Sequence, residues 1–266
     1  MINDIYHLGM GTTWIGKHWP SNKNYIYPND KETHNYLNYF FENIEIGRIM
    51  VDTAREYGTA ETRLGNYFQT HSEFYERAII CSKFGGCTKR QLLNDANNGF
   101  RITIEAMVND YYNSLERLGR IDVYYSHLIN QLNVNEVIKF LRKGEYLETL
   151  NYWKKIEYGG LKYIGASISN LKIMSIFIEE KLYKNLDIIQ VPSWMVKKHE
   201  SFIKELKGFG KYIGVNSPVR FSLDNNDSDT SINDRYLEMW EPSYVDVVLT
   251  GTRNHYKNVV SLSKSI

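Results

Sequence analysis

The strongest constraint on the fold is a set of eight short apolar runs, rich in β-branched and aromatic residues. They occupy residues 5–11, 48–52, 78–82, 121–125, 163–166, 187–191, 211–215 and 245–249. Continuous apolar runs of this length suit strands buried on both faces, as in a parallel sheet. Amphipathic stretches lie between them. The clearest is 101–118, where Ile104, Met107, Val108, Tyr111, Leu115 and Leu118 recur at three and four and Gly119 supplies a stop. Further helices are expected over 32–41, 60–68, 134–156, 171–182, 197–206 and 254–263, with helix starts at 59–61 and at Asn170. Strands alternating with helices mean parallel βα units. At 266 residues, a closed (β/α)8 TIM barrel is the simplest arrangement, and a doubly wound open sheet is its rival. No linker or composition break divides the chain, so one domain over 1–266 is expected. The polar stretch 222–233 reads as a loop, solvent-exposed or part of a lid.

Composition removes several function classes. The 32 Lys and Arg residues against 31 Asp and Glu give a net charge of +1, which speaks against nucleic acid or an anionic membrane as partner. Cys81 and Cys87 fit neither a disulfide framework nor a zinc pattern, so two reduced thiols and no metal are expected. No apolar run approaches the roughly 20 residues that span a bilayer. The N-terminus does not read as a signal peptide, and a cytoplasmic location is expected.

In a barrel of this kind the active site lies at the carboxyl ends of the strands. The polar residues there are Asp52 and Tyr57 after the second run, Lys83 after the third, and His127 after the fourth. Ser167 ends the fifth run and Gln190 lies in the sixth. Each has an ordinary reading: Asp52 as a turn cap, Lys83 as a solvated charge, His127 as a satisfied core histidine, Tyr57 as one of 21 tyrosines. Together they are chemically complementary. A phenol titrates near 10, too high for an ideal acid at neutral pH, and a neighbouring ammonium makes it a better donor. A buried lysine needs a counter-ion, which Asp52 can supply. Two hydrogen-bond donors, Tyr57 and His127, aimed at one oxygen suit a carbonyl becoming an alkoxide. None of these groups supplies electrons, so the reductant has to be a cofactor.

These residues resemble those of the aldo-keto reductases. Val51-Asp52-Thr53-Ala54-Arg55-Glu56-Tyr57-Gly58-Thr59-Ala60-Glu61, followed by Leu64-Gly65, is similar to the family's first signature. Leu8 to Thr12 resembles its first strand, Ser82-Lys83-Phe84-Gly85 its lysine segment, and Ser114 to His127 the motif ending in the catalytic histidine. The segments 161–167, 187–192 and 245–254 follow in family order, so the resemblance spans nearly the whole chain. It implies a (β/α)8 barrel, a small-molecule carbonyl substrate and a nicotinamide cofactor, usually NADP(H). In the implied roles Tyr57 is the general acid, Lys83 lowers its pKa, Asp52 pairs with Lys83, and His127 orients the carbonyl. Ser167 and Gln190 would hold the nicotinamide carboxamide. Gly251, Thr252, Arg253 and Asn254 would lie around the adenosine, with Arg253 suited to a 2′-phosphate. Gly11, Thr12, Asp52, Asn216 and Ser217 complete the implied cofactor surround. Monomer or weak homo-oligomer is the expected state.

The chain departs from the family pattern in places. Ile168 rather than Asn follows Ser167, and Asn170 reads as a helix cap. Asn216-Ser217-Pro218 stands where many members carry Tyr-Ser-Pro, whose ring stacks on the nicotinamide, and the connection over 219–243 is short. The choice between NADP(H) and NAD(H) is therefore open. Trp14, His18 and Trp19 in the first βα loop, with Trp194 after the sixth run, are the candidate substrate contacts. Two other readings stand beside carbonyl reduction. One is a non-catalytic, cofactor-binding barrel subunit. The other is a redox-neutral isomerase or epimerase using bound NADP.

Overall fold

The computed structural model describes residues 4–16, 26–85, 102–128, 134–218, 229–251 and 254–266. Among these, eight strands form a closed barrel in sequence order. They are β1 (Leu8–Gly11), β2 (Ile49–Asp52), β3 (Ala78–Phe84), β4 (Val123–Leu128), β5 (Tyr163–Ile168), β6 (Ile188–Pro192), β7 (Tyr212–Asn216) and β8 (Val247–Thr250). Every neighbouring pair is parallel, and Leu8 of β1 pairs with Val248 of β8. That last pairing closes the sheet and rules out the open doubly wound alternative. The fold is a (β/α)8 TIM barrel.

The helices surrounding it are α1 (Thr13–Gly16), α2 (Asp30–Asn43), α3 (Ala60–Thr70), α4 (Ser72–Arg77), α5 (Ile104–Leu118), α6 (Val134–Lys143), α7 (Glu145–Lys155), α8 (Leu171–Glu179), α9 (Ser193–Lys198), α10 (Glu200–Gly208), α11 (Asp229–Trp240) and α12 (Tyr256–Ser263). Local chemistry sets several ends. Asn29 and Glu32 form a reciprocal capping box, so α2 starts two residues earlier than its apolar period suggests. Asn170 caps α8 by accepting from the backbone N–H groups of Lys172 and Ile173. Gly119 ends α5 at φ 76°.

Three expectations need correction. The stretch 134–156 is two helices, because Gly144 takes φ 70° and turns the chain between α6 and α7. The stretch 197–206 is likewise divided between α9 and α10, at His199. The expected loop 222–233 is helical from Asp229 onward, where Ile232 and Tyr236 bury their side chains four residues apart. Residues 222–228 of that stretch lie outside the described residues.

The side-chain period of two divides each strand between two cores. Outward residues such as Met10, Val51, Ile80, Tyr124, Ile164, Ile189, Val215 and Val248 pack beneath the helices. Inward residues Met50, Ile79, Cys81, Val123, Tyr125, Ile188, Tyr212, Val247 and Leu249 fill the barrel. The amino-terminal rim is tied by a repeated device. Asp122, Asp187 and Asp246, each just before an even-numbered strand, accept the backbone N–H of Ile80, Ile164 and Ile213 on the preceding strand. Each carboxylate also meets a cation: Arg120, Lys154 and Lys207 respectively. Backbone donors that would otherwise be orphaned at the barrel floor are thereby satisfied.

The barrel interior leaves little slack. A Cβ added to Gly165 would lie 2.7 Å from the Tyr125 ring and 2.6 Å from the Ile188 carbonyl oxygen, so only glycine lets Tyr125 lie across the barrel. Gly165→Ala is expected to lower unfolding stability by about 1–3 kcal/mol through overpacking. Gly208→Ala, with no atom within 4 Å of the new Cβ, serves as the control. It should be neutral or stabilising by up to about 1 kcal/mol. Urea unfolding midpoints check both.

Candidate active site

The same inward parity that fills the barrel continues to its carboxyl-terminal mouth. Two residues beyond Met50, Cys81, Tyr125, Gly165, Ile188 and Gly214 come Asp52, Lys83, His127, Ser167, Gln190 and Asn216. Register keeps them adjacent: Asp52 pairs with Cys81, Lys83 with Tyr125, His127 with Ser167, and Ser167 with Gln190. Thus side chains more than a hundred residues apart in sequence meet in one polar layer above the apolar plug.

Lys83 is 1% exposed. Its Nζ lies 2.7 Å from each of three oxygens: Asp52 Oδ1, Asp52 Oδ2 and the Thr53 carbonyl. Three acceptors match the three ammonium hydrogens, the condition under which a buried charge is tolerable. Burial works against the ammonium, but Asp52 beside it holds the Lys83 pKa above the ordinary lysine value. Asp52 is braced in turn. Its Oδ1 accepts from Gln190 Nε2 at 2.9 Å, and its backbone carbonyl accepts from both the N–H and the hydroxyl of Thr12 at 3.0 Å.

Tyr57 reaches the same point from the loop after β2. Lys83 Nζ sits 5.2 Å from the centroid of its ring. Burial pushes the Tyr57 phenol up, Lys83 pulls it down, and Asp52 and Glu56 push it up again, leaving its pKa above the ordinary tyrosine value. The expected downward influence of Lys83 is present, but burial outweighs it. The phenol therefore keeps its proton at neutral pH. The His127 ring stands edge-on to Tyr57, with centroids 6.1 Å apart and an interplanar angle of 77°. Its Nδ1 lies 3.3 Å from Glu56 Oε1, and these side chains are only 5% and 3% exposed.

On the other side of Asp52 a chain of amide and hydroxyl groups follows the rim. Ser167 Oγ donates to Gln190 Oε1 at 2.7 Å, and Asn216 Nδ2 donates to the same oxygen at 3.1 Å. Gln190 thereby links Ser167 and Asn216 to Asp52 and Lys83. At the end of β8, Gly251 leaves open space where a Cβ would project. This donor and acceptor set could hold a planar carboxamide near β5–β7. Gly11 pairs with Asp52 at the same rim. Ser217 follows β7 at φ 55°, and its carbonyl accepts from Ser193 Oγ. Asn254 is exposed beyond β8.

The candidate substrate contacts divide. Trp14 is buried in the core, with its ring edge-on to Tyr36 at 4.9 Å. Trp194, on α9, is partly buried against the same core. His18, Trp19, Thr252 and Arg253 lie outside the described residues, as does Cys87. Cys81 is buried, and its thiol is pushed well up by burial. Two residues of the site were not singled out from sequence. Tyr125 could have been found by parity, two residues before His127. Glu56 carried no such signal, since a charge beside Tyr57 reads equally well as solvated.

The sequence profile of the aldo/keto reductase family matches residues 7–230, and the chain belongs to that family. Membership implies NAD(P)H-dependent carbonyl reduction and so an oxidoreductase. The chain is similar in structure to a candidate aldo-keto reductase from Pseudomonas aeruginosa, with 20% identity, a TM-score of 0.73, and 97% of this chain and 90% of that one covered. It is also similar to an aldo-keto reductase from Bacillus halodurans in its holo form, with 15% identity, a TM-score of 0.64, and coverage of 98% and 86%. At such identities the likeness speaks to the fold alone. No curated protein matches the chain. Among the described residues, no helix is long and apolar enough to cross a membrane.

Removing the ammonium would leave Asp52 buried without its countercharge. Lys83→Met is expected to destabilise the fold by roughly 3–5 kcal/mol. A second change, Asp52→Asn, should recover part of that loss, and urea unfolding of the single and double variants reads both. Because the fold favours the ammonium, the pair's contribution is whole below the ordinary lysine range. It declines as pH rises through that range and is gone once pH passes the raised folded-state value.

Proposed function

We propose that this chain, a single barrel domain over 1–266, reduces an aldehyde or ketone to the alcohol with NADPH or NADH as reductant, and that Tyr57 is the general acid. The observation that carries this reading is the buried Lys83 ammonium, held 2.7 Å from both Asp52 oxygens and 5.2 Å from the Tyr57 ring centroid. A bound reduced nicotinamide supplies the hydride to the carbonyl carbon. Tyr57 Oη passes its proton to the carbonyl oxygen as negative charge develops there. The cost of leaving a phenolate in this buried setting is offset by Lys83, whose own charge Asp52 keeps in place. His127 directs a ring N–H to the same oxygen, from a ring that stands edge-on to Tyr57 with centroids 6.1 Å apart.

Ser167, Gln190 and Asn216 would hold the carboxamide of the nicotinamide. Gln190 accepts from both neighbours and donates to Asp52, so the carboxamide rail and the acid share one hydrogen-bonded frame. Gly11, Thr12, Ser217, Gly251, Thr252 and Asn254 would line the remainder of the cofactor. Arg253 would grip a 2′-phosphate, which favours NADPH. Asn216 in place of an aromatic ring makes the hold on the nicotinamide polar rather than stacked.

The test is NADPH oxidation by the purified protein across a panel of aldehydes and ketones, followed by loss of absorbance. Turnover of at least one carbonyl is expected, and cofactor that neither binds nor is consumed would overturn the reading. Tyr57→Phe should lower the reduction rate by about 10²–10⁴-fold with NADPH binding unchanged. An unaltered rate would remove Tyr57 from the mechanism. Arg253→Ala should weaken NADPH binding by roughly tenfold or more, the size of one lost charge-assisted contact, and leave NADH binding nearly unchanged. Fluorescence titration with each nucleotide reads the difference.

A further inference from the structure

Glu56 is a buried carboxylate that the reduction chemistry above does not use. It sits immediately before Tyr57, its side chain is 3% exposed, and its Oε1 lies 3.3 Å from His127 Nδ1. The other carboxylate at the mouth, Asp52, is taken up by Lys83 through two contacts of 2.7 Å. Lys83 therefore faces the site as half of a closed pair, and Glu56 faces His127.

This arrangement decides which edge of the imidazole can serve a substrate. A neutral ring that keeps its proton on Nδ1, the nitrogen 3.3 Å from the Glu56 carboxylate, has a bare Nε2, which accepts hydrogen bonds and cannot donate one. Only the imidazolium carries protons on both nitrogens. A carboxylate at this distance favours that charged form. Among the described residues, the remaining titratable groups around His127 are Asp52 and Tyr57 from the end of β2 and its loop, Lys83 and Cys81 from β3, and Tyr125 from β4 itself. On the β5 side, Ser167 and Gly165 carry no charge. Of these groups, Lys83 alone carries a positive charge, and Asp52 answers it.

We propose that Glu56 is a positioning residue that claims the Nδ1 edge of His127 and so presents Nε2–H, on an imidazolium, to the oxygen of the substrate carbonyl. This rests on the carbonyl-reduction reading for its purpose, though not for its test. Glu56 touches neither substrate nor cofactor in this scheme. It acts through His127, making donation to the substrate oxygen a property of the charged ring.

The experiment follows the ring nitrogens of His127 by long-range proton–nitrogen NMR in the cofactor-free protein, with the signal assigned by its loss in His127→Gln. In Glu56→Gln the pH of half-protonation of His127 should fall by roughly 1 unit or more. Glu56→Asp, which keeps the charge and shortens the reach, should fall between Glu56→Gln and the unaltered protein. It also serves if Glu56→Gln does not fold. In carbonyl reduction, the alkaline limb of the kcat profile should move to lower pH by the same amount in Glu56→Gln, with nucleotide affinity unchanged. An unchanged His127 titration in both variants overturns the proposal, as does a kcat profile that falls evenly at every pH. If the unaltered protein reduces no carbonyl while the NMR shift is present, the pairing stands and the reductase reading falls.

Discussion

The mouth of this barrel is organised by the requirement that one buried ammonium be matched. Lys83 projects from β3 into a space almost closed to water, where an unmatched charge would cost several kcal/mol. Asp52 and the Thr53 carbonyl supply the match from β2, and their geometry is fixed in turn by Thr12 and Gln190. The carboxyl ends of β1, β2, β3 and β6 are thus tied together at Asp52, the partner of that ammonium. The pair also sets the local electrostatics. Because Asp52 neutralises Lys83, the positive influence on Tyr57 is moderated, and burial leaves the phenol protonated. A phenol that keeps its proton until charge develops beside it is what the proposed reduction asks of Tyr57.

The frame that delivers these groups is steric. A closed barrel forces alternate residues inward, so the side chains of the polar mouth stand directly above those of the apolar plug. Tyr125 is one of two tyrosines in that plug, and it fits because Gly165 offers no side chain opposite it. Its ring centroid is 5.8 Å from Lys83 Nζ, so the floor of the site and its central charge are in contact. The amino-terminal rim is held differently, by Asp122, Asp187 and Asp246 accepting backbone N–H groups. One end of the barrel is stitched for stability. The other carries the polar layer of the candidate site.

Much of this was legible in the residues. The apolar runs locate all eight strands to within a few residues, and the pattern of polar residues after them marks Asp52, Tyr57, Lys83 and His127. The readings that failed share a cause. The stretch 134–156 has an unbroken helical period, yet Gly144 turns it, and a single φ is invisible to periodicity. The stretch 229–233 is polar on average, yet it begins a helix whose buried face rests on only a few side chains, among them Ile232 and Tyr236. Trp14 reads as a substrate contact from its place after the first strand, and the structure packs its ring against Tyr36 in the core. Composition reports exposure on average and cannot say which way one ring points.

What the sequence alone determined is the alternation of strands and helices and the chemical inventory. Hydrophobic periodicity is local and survives in one dimension, and the types of residue at the strand ends limit the chemistry to acid, base and hydrogen-bond donation. Only the tertiary structure decided who is paired with whom. Closure of β8 on β1 chose barrel over open sheet, register placed Gln190 between Asp52 and Asn216, and the path of the loop after β2 set Glu56 against His127. Those are through-space relations between residues far apart in the chain or facing across a loop. They depend on strand stagger and on which side of a turn each side chain leaves, and neither quantity is written in residue types.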